Sequence, residues 1–273
     1  MTPQADQPLS TRVRLGTRAD HQAAQGSGFL DALATGRLPL AAYADLAAQH
    51  YAIYETLEKA AATMAADPIA GVFVAPELTR LPALADDLRF LLESTTGVAA
   101  TGCSATGCSA TGGSAVGGSA VGAAGGSGTG ASTVGATGGS AVGATGGSGT
   151  GGSVAGGSAT VRPATEAYCA RLTEVAFDRS AAFVAHHYTR YLGDLSGGQY
   201  LGPAIARAYG LAGEGYQFFI FTGVEPVAFR ARYRELLDRA AWTAGEQDEF
   251  LAEVALAYRL NIAVLAELKE EWA

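Results

Sequence analysis

From Ser94 to Val161 the chain carries no charged residue. The stretch is built from Gly, Ser, Ala, Thr and Val in loose repeats such as ATGGSAVGG. Such a segment cannot bury enough apolar surface to offset chain entropy, and its glycines raise that entropy further. A stacked Gly-rich β array would need a steady period, and these repeats drift between four and five residues. A disordered or loosely ordered low-complexity insertion is therefore expected over 97–160. Any folded core must come from the flanks, 1–96 and 161–273. These hold about 205 residues, enough for one domain of ordinary size.

Both flanks read as helices. Segment 39–66 opens on Pro39, and its apolar positions Leu40, Tyr43, Ala47, Tyr51, Tyr54 and Leu57 step by three and four. Shorter helical patterns cover 80–93 and 163–177, the second again opening on Pro. A long one covers 180–209. Segment 226–241 follows Glu225-Pro226, and 243–271 opens with Thr243-Ala-Gly-Glu246, a capping-box pattern. QFFIFTG, Gln217 to Gly223, is the single strand candidate. The expected class is all-α. The insertion falls between two helices, where a long loop closes at small cost, so one domain is expected to survive it.

The net charge of −8 argues against a nucleic-acid partner. No run of about 18 apolar residues is present, so no membrane anchor is expected. The segment MTPQADQPLSTRVRLGTRAD has no apolar stretch of the secretory kind, and a cytoplasmic protein is expected. Cys103 and Cys108 sit where neighbouring repeats carry Gly, with no further ligand at zinc spacing, and Cys169 reads as a small helix residue.

The chemistry concentrates in GDLSGGQYLG, Gly193 to Gly202. LSGGQ is also the signature peptide of ABC-type ATPases. Those need a phosphate loop ending in Gly-Lys, and neither Lys59 nor Lys269 follows a Gly. On a helix, Gly193 and Gly197 stack on one face, and Asp194 and Gly198 stack one step round. Each Gly costs about 1 kcal/mol relative to Ala. Tight helix packing needs one small pair; three glycines suit a flat ligand lying against bare backbone. Val184, His187, Tyr191, Asp194 and Gly198 share a stripe, on which a carboxylate is costly unless hydrogen-bonded. Asn261 interrupts another stripe, formed by Phe250, Val254, Ala257, Val264 and Leu268. Tyr54, Arg190, Asp194 and Asn261 could form one buried polar network.

The histidines are His21, His50, His186 and His187. Arg12, Arg14 and Arg18 run up to His21, and the spacing of Arg14, Arg18 and His21 places two cations and an imidazole on one side of a helix. An anionic ligand that also takes a histidine on a metal fits this, as haem does. A second basic group, Phe229-Arg230-Ala231-Arg232-Tyr233-Arg234, could hold the same carboxylates.

Together these residues resemble the haem oxygenase family. HHYTRYLGDLSGGQ is close to its signature. RLGTRADHQAAQGSGFLDAL, HYAIYETLEKA, APELTRLPALADDL and RLNIAVLAEL fall in its order. The resemblance implies a soluble, bacterial-type member of an all-α fold that sandwiches haem between a proximal and a distal helix. It implies that haem b is substrate and cofactor, opened to biliverdin with release of CO and Fe²⁺. O₂ and electrons from an external reductase or ferredoxin drive the reaction. His21 matches the proximal iron ligand. Gly193, Asp194, Gly197 and Gly198 match the distal helix. Asp194 matches the carboxylate that orders distal water, with Tyr54, Arg190 and Asn261 as companions. Arg14, Arg18, Tyr188, Arg230 and Arg234 match propionate-side positions, several with Arg where the family often has Lys.

Two departures stand out. Gln25 replaces the acidic residue the family usually has four after the proximal His, which should weaken the imidazole as a donor to iron. The Gly-rich insertion is the other. Two further readings follow: a haem-binding or haem-buffering protein without efficient turnover, and a thiaminase-like helical relative that binds another small molecule.

Overall fold

The computed structural model describes residues 7–25, 28–101 and 160–272, with side chains throughout except at 21, 23–25 and 97–101. The chain parts into two units, 1–100 with 151–273, and 101–150. Of the insertion expected to be disordered over 97–160, residues 102–159, with both repeat cysteines, lie outside the described residues, while 97–101 are helical.

All regular structure among the described residues is helical. The elements are α1 (Leu9–Gly16), α2 (Arg18–Gln25), α3 (Phe29–Ala34), α4 (Leu40–Met64), α5 (Leu81–Thr101) and α6 (Pro163–Val175). They continue with α7 (Ser180–His187), α8 (Gln199–Tyr209), α9 (Pro226–Arg239) and α10 (Ala244–Trp272). Local signals fix several ends. Pro163 and Pro226 occupy the first turns of α6 and α9, where a missing N–H costs nothing. The Glu225 carboxylate caps α9, accepting from the N–H of Ala228 at 2.7 Å. At the start of α10, Thr243 N–H donates to Glu246 at 2.7 Å and Glu246 N–H donates back to Thr243 Oγ1 at 3.3 Å, the reciprocal box its sequence predicts.

α10 packs along α7 and α6, and α4 packs on α6 and α7. Their shared core includes Ile53, Leu57, Leu172, Phe183, Val184, Phe250 and Val254, all fully buried. Burying each such side chain contributes about 1.5–3 kcal/mol. One buried charged cluster inside this core is paired. Glu253 on α10 accepts from Arg171 on α6 at 2.7 Å and 2.9 Å, and pairs with His186 Nε2 on α7 at 2.9 Å. Burial alone would raise the Glu253 pKa, but those hydrogen bonds outweigh it and hold the carboxyl at about 2.

The stretch 180–209 is one helical run, as expected, with a difference. Between α7 and α8 it passes through two π turns, Tyr188–Leu192 and Asp194–Gly198. Each bonds i to i+5 and widens the helix. This whole run is called the distal helix below. Two further expectations are corrected and one candidate is resolved. Thr17 breaks the helix expected to carry Arg14, Arg18 and His21 together: it is a turn whose N–H and Oγ1 both bond to the Val13 carbonyl. QFFIFTG, the short strand candidate that the all-α expectation set aside, instead forms a single 3₁₀ turn at Gln217–Phe219. α5 runs on to Thr101, past the expected 93.

His187 makes the fold acid-sensitive. It is buried, its Nδ1 lies 2.9 Å from Tyr233 OH, and burial lowers its pKa to about 3. Its unfolded-state pKa is about 6.5. Between those values the unfolded chain binds the extra proton, so stability falls as pH falls through that window. From this residue alone the loss from pH 7 to pH 5 is about 2 kcal/mol. Urea midpoints at the two pH values check it. His187→Gln, which cannot titrate, should flatten that part of the pH dependence, and an unchanged slope would refute the assignment.

Candidate functional site

A cavity of about 430 Å³ opens between the α1–α2 corner, the first π turn, α9 and α10. Its size falls within the roughly 300–1,000 Å³ of small-molecule sites. Four guanidinium groups stand around it: Arg14 from α1, Arg18 from α2, Arg230 and Arg234 from α9. Its walls carry Leu15, Leu192, Tyr188 and Tyr258, and the bare backbone of Gly193. A Cβ on Gly193 or on Gly197 would meet no other group within 4 Å. Arg230 donates to Ser196 Oγ at 2.7 Å, which ties α9 to the distal helix. Four cations over an apolar, aromatic wall suit a flat apolar body with a dianionic edge.

Not every basic residue joins this rim. Arg12 bonds instead to Gln247 at 2.8 Å and Asp248 at 2.9 Å at the start of α10. Arg232 lies away from the cavity, beside Val72 and Phe229.

Next to Gly193 the distal helix enters a polar interior. The Tyr54 hydroxyl on α4 donates a short hydrogen bond to Asp194 Oδ2. Arg190 donates through Nη1 to Asn261 Oδ1 at 2.7 Å, and its guanidinium lies 4.9 Å from the centre of the Tyr54 ring. Burial raises the Asp194 pKa, partly offset by Arg190 and by the Tyr54 hydrogen bond. Burial opposes the Arg190 charge, yet Tyr54, Asp194 and Tyr168 beside it outweigh that and hold it protonated. Arg190 is 5% exposed, and its Nε and Nη2 have no acceptor among the described residues. A buried guanidinium with two spare donors beside a carboxylate is suited to ordering water or a polar ligand atom.

The structure thus brings Tyr54, Arg190, Asp194 and Asn261 into one network. It gathers Arg14, Arg18, Tyr188, Gly193, Arg230 and Arg234 around one cavity. His21 lies on α2, whose neighbouring residues Arg18 and Gln22 line that cavity; the side chains of His21 and Gln25 lie outside the described residues. Gly198 is not among the residues lining this cavity; a Cβ there would come within 3.1 Å of the Phe219 ring, so the bare backbone also serves a close approach of that ring. Ser196 and Tyr258 were missed by sequence reading. Tyr258 lies beside the Asn261 stripe on α10, next to Ala257, and the stripe as drawn passes it by. Ser196 carries no signal apart from the tertiary approach of Arg230.

The haem oxygenase family model matches residues 7–106 and 156–267, and the chain belongs to the haem oxygenase family. "Heme oxygenase 1" of Nostoc sp. is 25% identical over 263 residues, covering 96% of this chain and 86% of that one. The vertebrate matches are local. "Heme oxygenase" of Takifugu rubripes is 39% identical over 112 residues, 40% of either chain, and the human "Heme oxygenase 1" match covers 38% of its own length. The all-α architecture is that of the family: the haem complex of heme oxygenase-1 from Synechocystis superposes with TM-score 0.70 at 23% identity, covering 97% of this chain and 94% of that one. The heme oxygenase of Leptospira interrogans gives 0.68 at 25% identity, covering 96% and 100%.

Proposed function

We propose that this chain is a soluble, bacterial-type haem oxygenase. It opens the haem ring to biliverdin with release of CO and Fe²⁺, using O₂ and electrons from a ferredoxin or flavin reductase. The observation that carries the reading is one juxtaposition. A cavity lined by Gly193 and four arginines is followed along the distal helix, at the next residue Asp194, by a buried Tyr54–Asp194 and Arg190–Asn261 network. Near-full-length similarity to cyanobacterial members supports the bacterial type. No described helix is long and apolar enough to cross a membrane, which is consistent with a cytoplasmic enzyme.

In this reading haem supplies the iron that binds oxygen, with His21 as its protein ligand. Arg14, Arg18, Arg230 and Arg234 hold the propionates and so set the in-plane rotation of the ring. Gly193 and Gly197 let the distal helix approach the haem face. Asp194, oriented by Tyr54, holds water that delivers protons at the distal side. Arg190, held by Asn261, keeps that carboxylate's surroundings polar and fixed.

Titration with haem tests this, followed by a reductant, O₂ and chromatography of the product. A histidine-ligated spectrum followed by biliverdin is expected. Binding without biliverdin would leave a haem-buffering protein, and no Soret band would leave a relative with another ligand.

The same assay tests the insertion, which we propose is a dispensable loop between 1–96 and 161–273. Residue 160 already takes part in the fold, its carbonyl accepting from Gln49 Nε2 at 3.1 Å, and α5 extends to Thr101. Replacing 102–159 with a short Gly-Ser linker should leave haem affinity and turnover within about twofold, since loop-length changes cost little. Loss of folding or turnover would overturn the proposal.

A further inference from the structure

The segment from Tyr216 to Phe221 has only one turn of regular structure, yet two charges from elsewhere hold its backbone. Asp87 on α5, 1% exposed, accepts the N–H of Gln217 at 2.8 Å and of Phe218 at 2.7 Å. Arg80, 7% exposed, donates Nη1 to the carbonyl of Ile220 at 2.7 Å and of Phe218 at 3.3 Å. Its guanidinium also lies 4.0 Å from the centre of the Phe221 ring. Glu58 on α4 accepts the N–H of Arg80 at 2.6 Å and so fixes the clamp to α4. A buried charge stripped of its partners is costly, so this segment cannot slide without stranding one.

What the clamp delivers is a pair of aromatic rings pointing two ways. Phe219 lies on the distal helix. A Cβ at Gly202 would come within 2.6 Å of its Cβ, and one at Gly198 within 3.1 Å of its Cδ1. Phe218 lies against α4, its ring 5.4 Å from Tyr54, edge to face, and 5.2 Å from His50. One short segment therefore touches the ring of Tyr54 and the helix that carries Asp194, the two ends of the short hydrogen bond.

We propose that Phe218 and Phe219, clamped by Asp87 and Arg80, are positioning residues that set the spacing between α4 and the distal helix and thereby the Tyr54–Asp194 contact. The site is that of the proposed reaction, but the first test needs no haem. In the haem-free protein, hydrogen exchange is followed in Asp87→Asn, which keeps the shape but replaces one acceptor oxygen with a donor, and in Phe219→Ala. Amides of 190–202 should exchange at least about tenfold faster than in the wild type, while those of α6 hold their rates. Phe219→Leu should recover most of the protection. Unchanged exchange over 190–202 overturns the proposal. So does an equal rise in α6, which would make the rings ordinary core.

A double-mutant cycle gives a second reading. Gly198→Ala should destabilise the wild type and cost clearly less in Phe219→Ala, because the ring atoms it meets are gone. Additive effects count against the wedge. If wild type takes up no haem, the functional reading fails while the exchange result still decides this one.

Discussion

His21→Ala is expected to lose the histidine-ligated haem spectrum and, with it, biliverdin formation. Iron loses its protein ligand, while the four arginines at the cavity remain. Haem should therefore still bind, but at least about tenfold more weakly, a loss of about 1.4 kcal/mol. The other histidines make informative controls, because the structure already employs them. His186 pairs with Glu253 at 2.9 Å and His187 with Tyr233 at 2.9 Å, both buried and away from the cavity walls. Replacing either by Ala should lower the melting temperature and leave the haem spectrum of the folded fraction unchanged. If His21→Ala keeps the wild-type Soret and ligand-field bands while one of those controls loses them, the ligand is misassigned.

The contrast between α2 and the distal segment shows which parts of this architecture the sequence carries. Helix ends written in local chemistry were legible: Pro163, Pro226 and the Thr243–Glu246 box act within one turn of themselves. The polar network was legible too. Asp194 and Asn261 each interrupt an apolar stripe, and a polar group there must find partners. The break at Thr17 was not, because it replaces one helical turn by another with little change in pattern. QFFIFTG has the composition of a strand, and Asp87 and Arg80, distant in sequence, claim its backbone groups instead. The contact of Gly198 with Phe219 was hidden for the same reason: Phe219 comes from outside the helix, and i, i+4 spacing cannot announce it. The π turns were likewise invisible, since period counting assumes a uniform helix.

Asp194→Ala separates chemistry from architecture. The variant should take up haem within about twofold of wild type, since the ring-holding arginines are untouched. Two consequences follow from the Tyr54–Asp194 contact. The first is structural: a buried Tyr54 hydroxyl loses its acceptor, which costs about 1–3 kcal/mol. The second is functional. The carboxylate that orients distal water is gone, and losing a positioned proton-transfer group typically costs 10²–10⁴-fold, so biliverdin formation should fall by about 100-fold or more. Asp194→Asn should be milder on both counts, because the amide oxygen can still accept from Tyr54 and the amide can still hold a water. Tyr54→Phe supplies the decisive comparison. It removes the same hydrogen bond from the other end but leaves the carboxylate in place. If Asp194 only braces the helix, the two variants should lose stability and turnover together. If it handles water at the distal side, Tyr54→Phe, which misorients the carboxylate but does not remove it, should lose clearly less turnover than Asp194→Ala at a comparable loss of stability. Single-turnover product analysis beside urea denaturation of all three variants makes the distinction. Biliverdin formed by Asp194→Ala at the wild-type rate would reduce Asp194 to a structural residue.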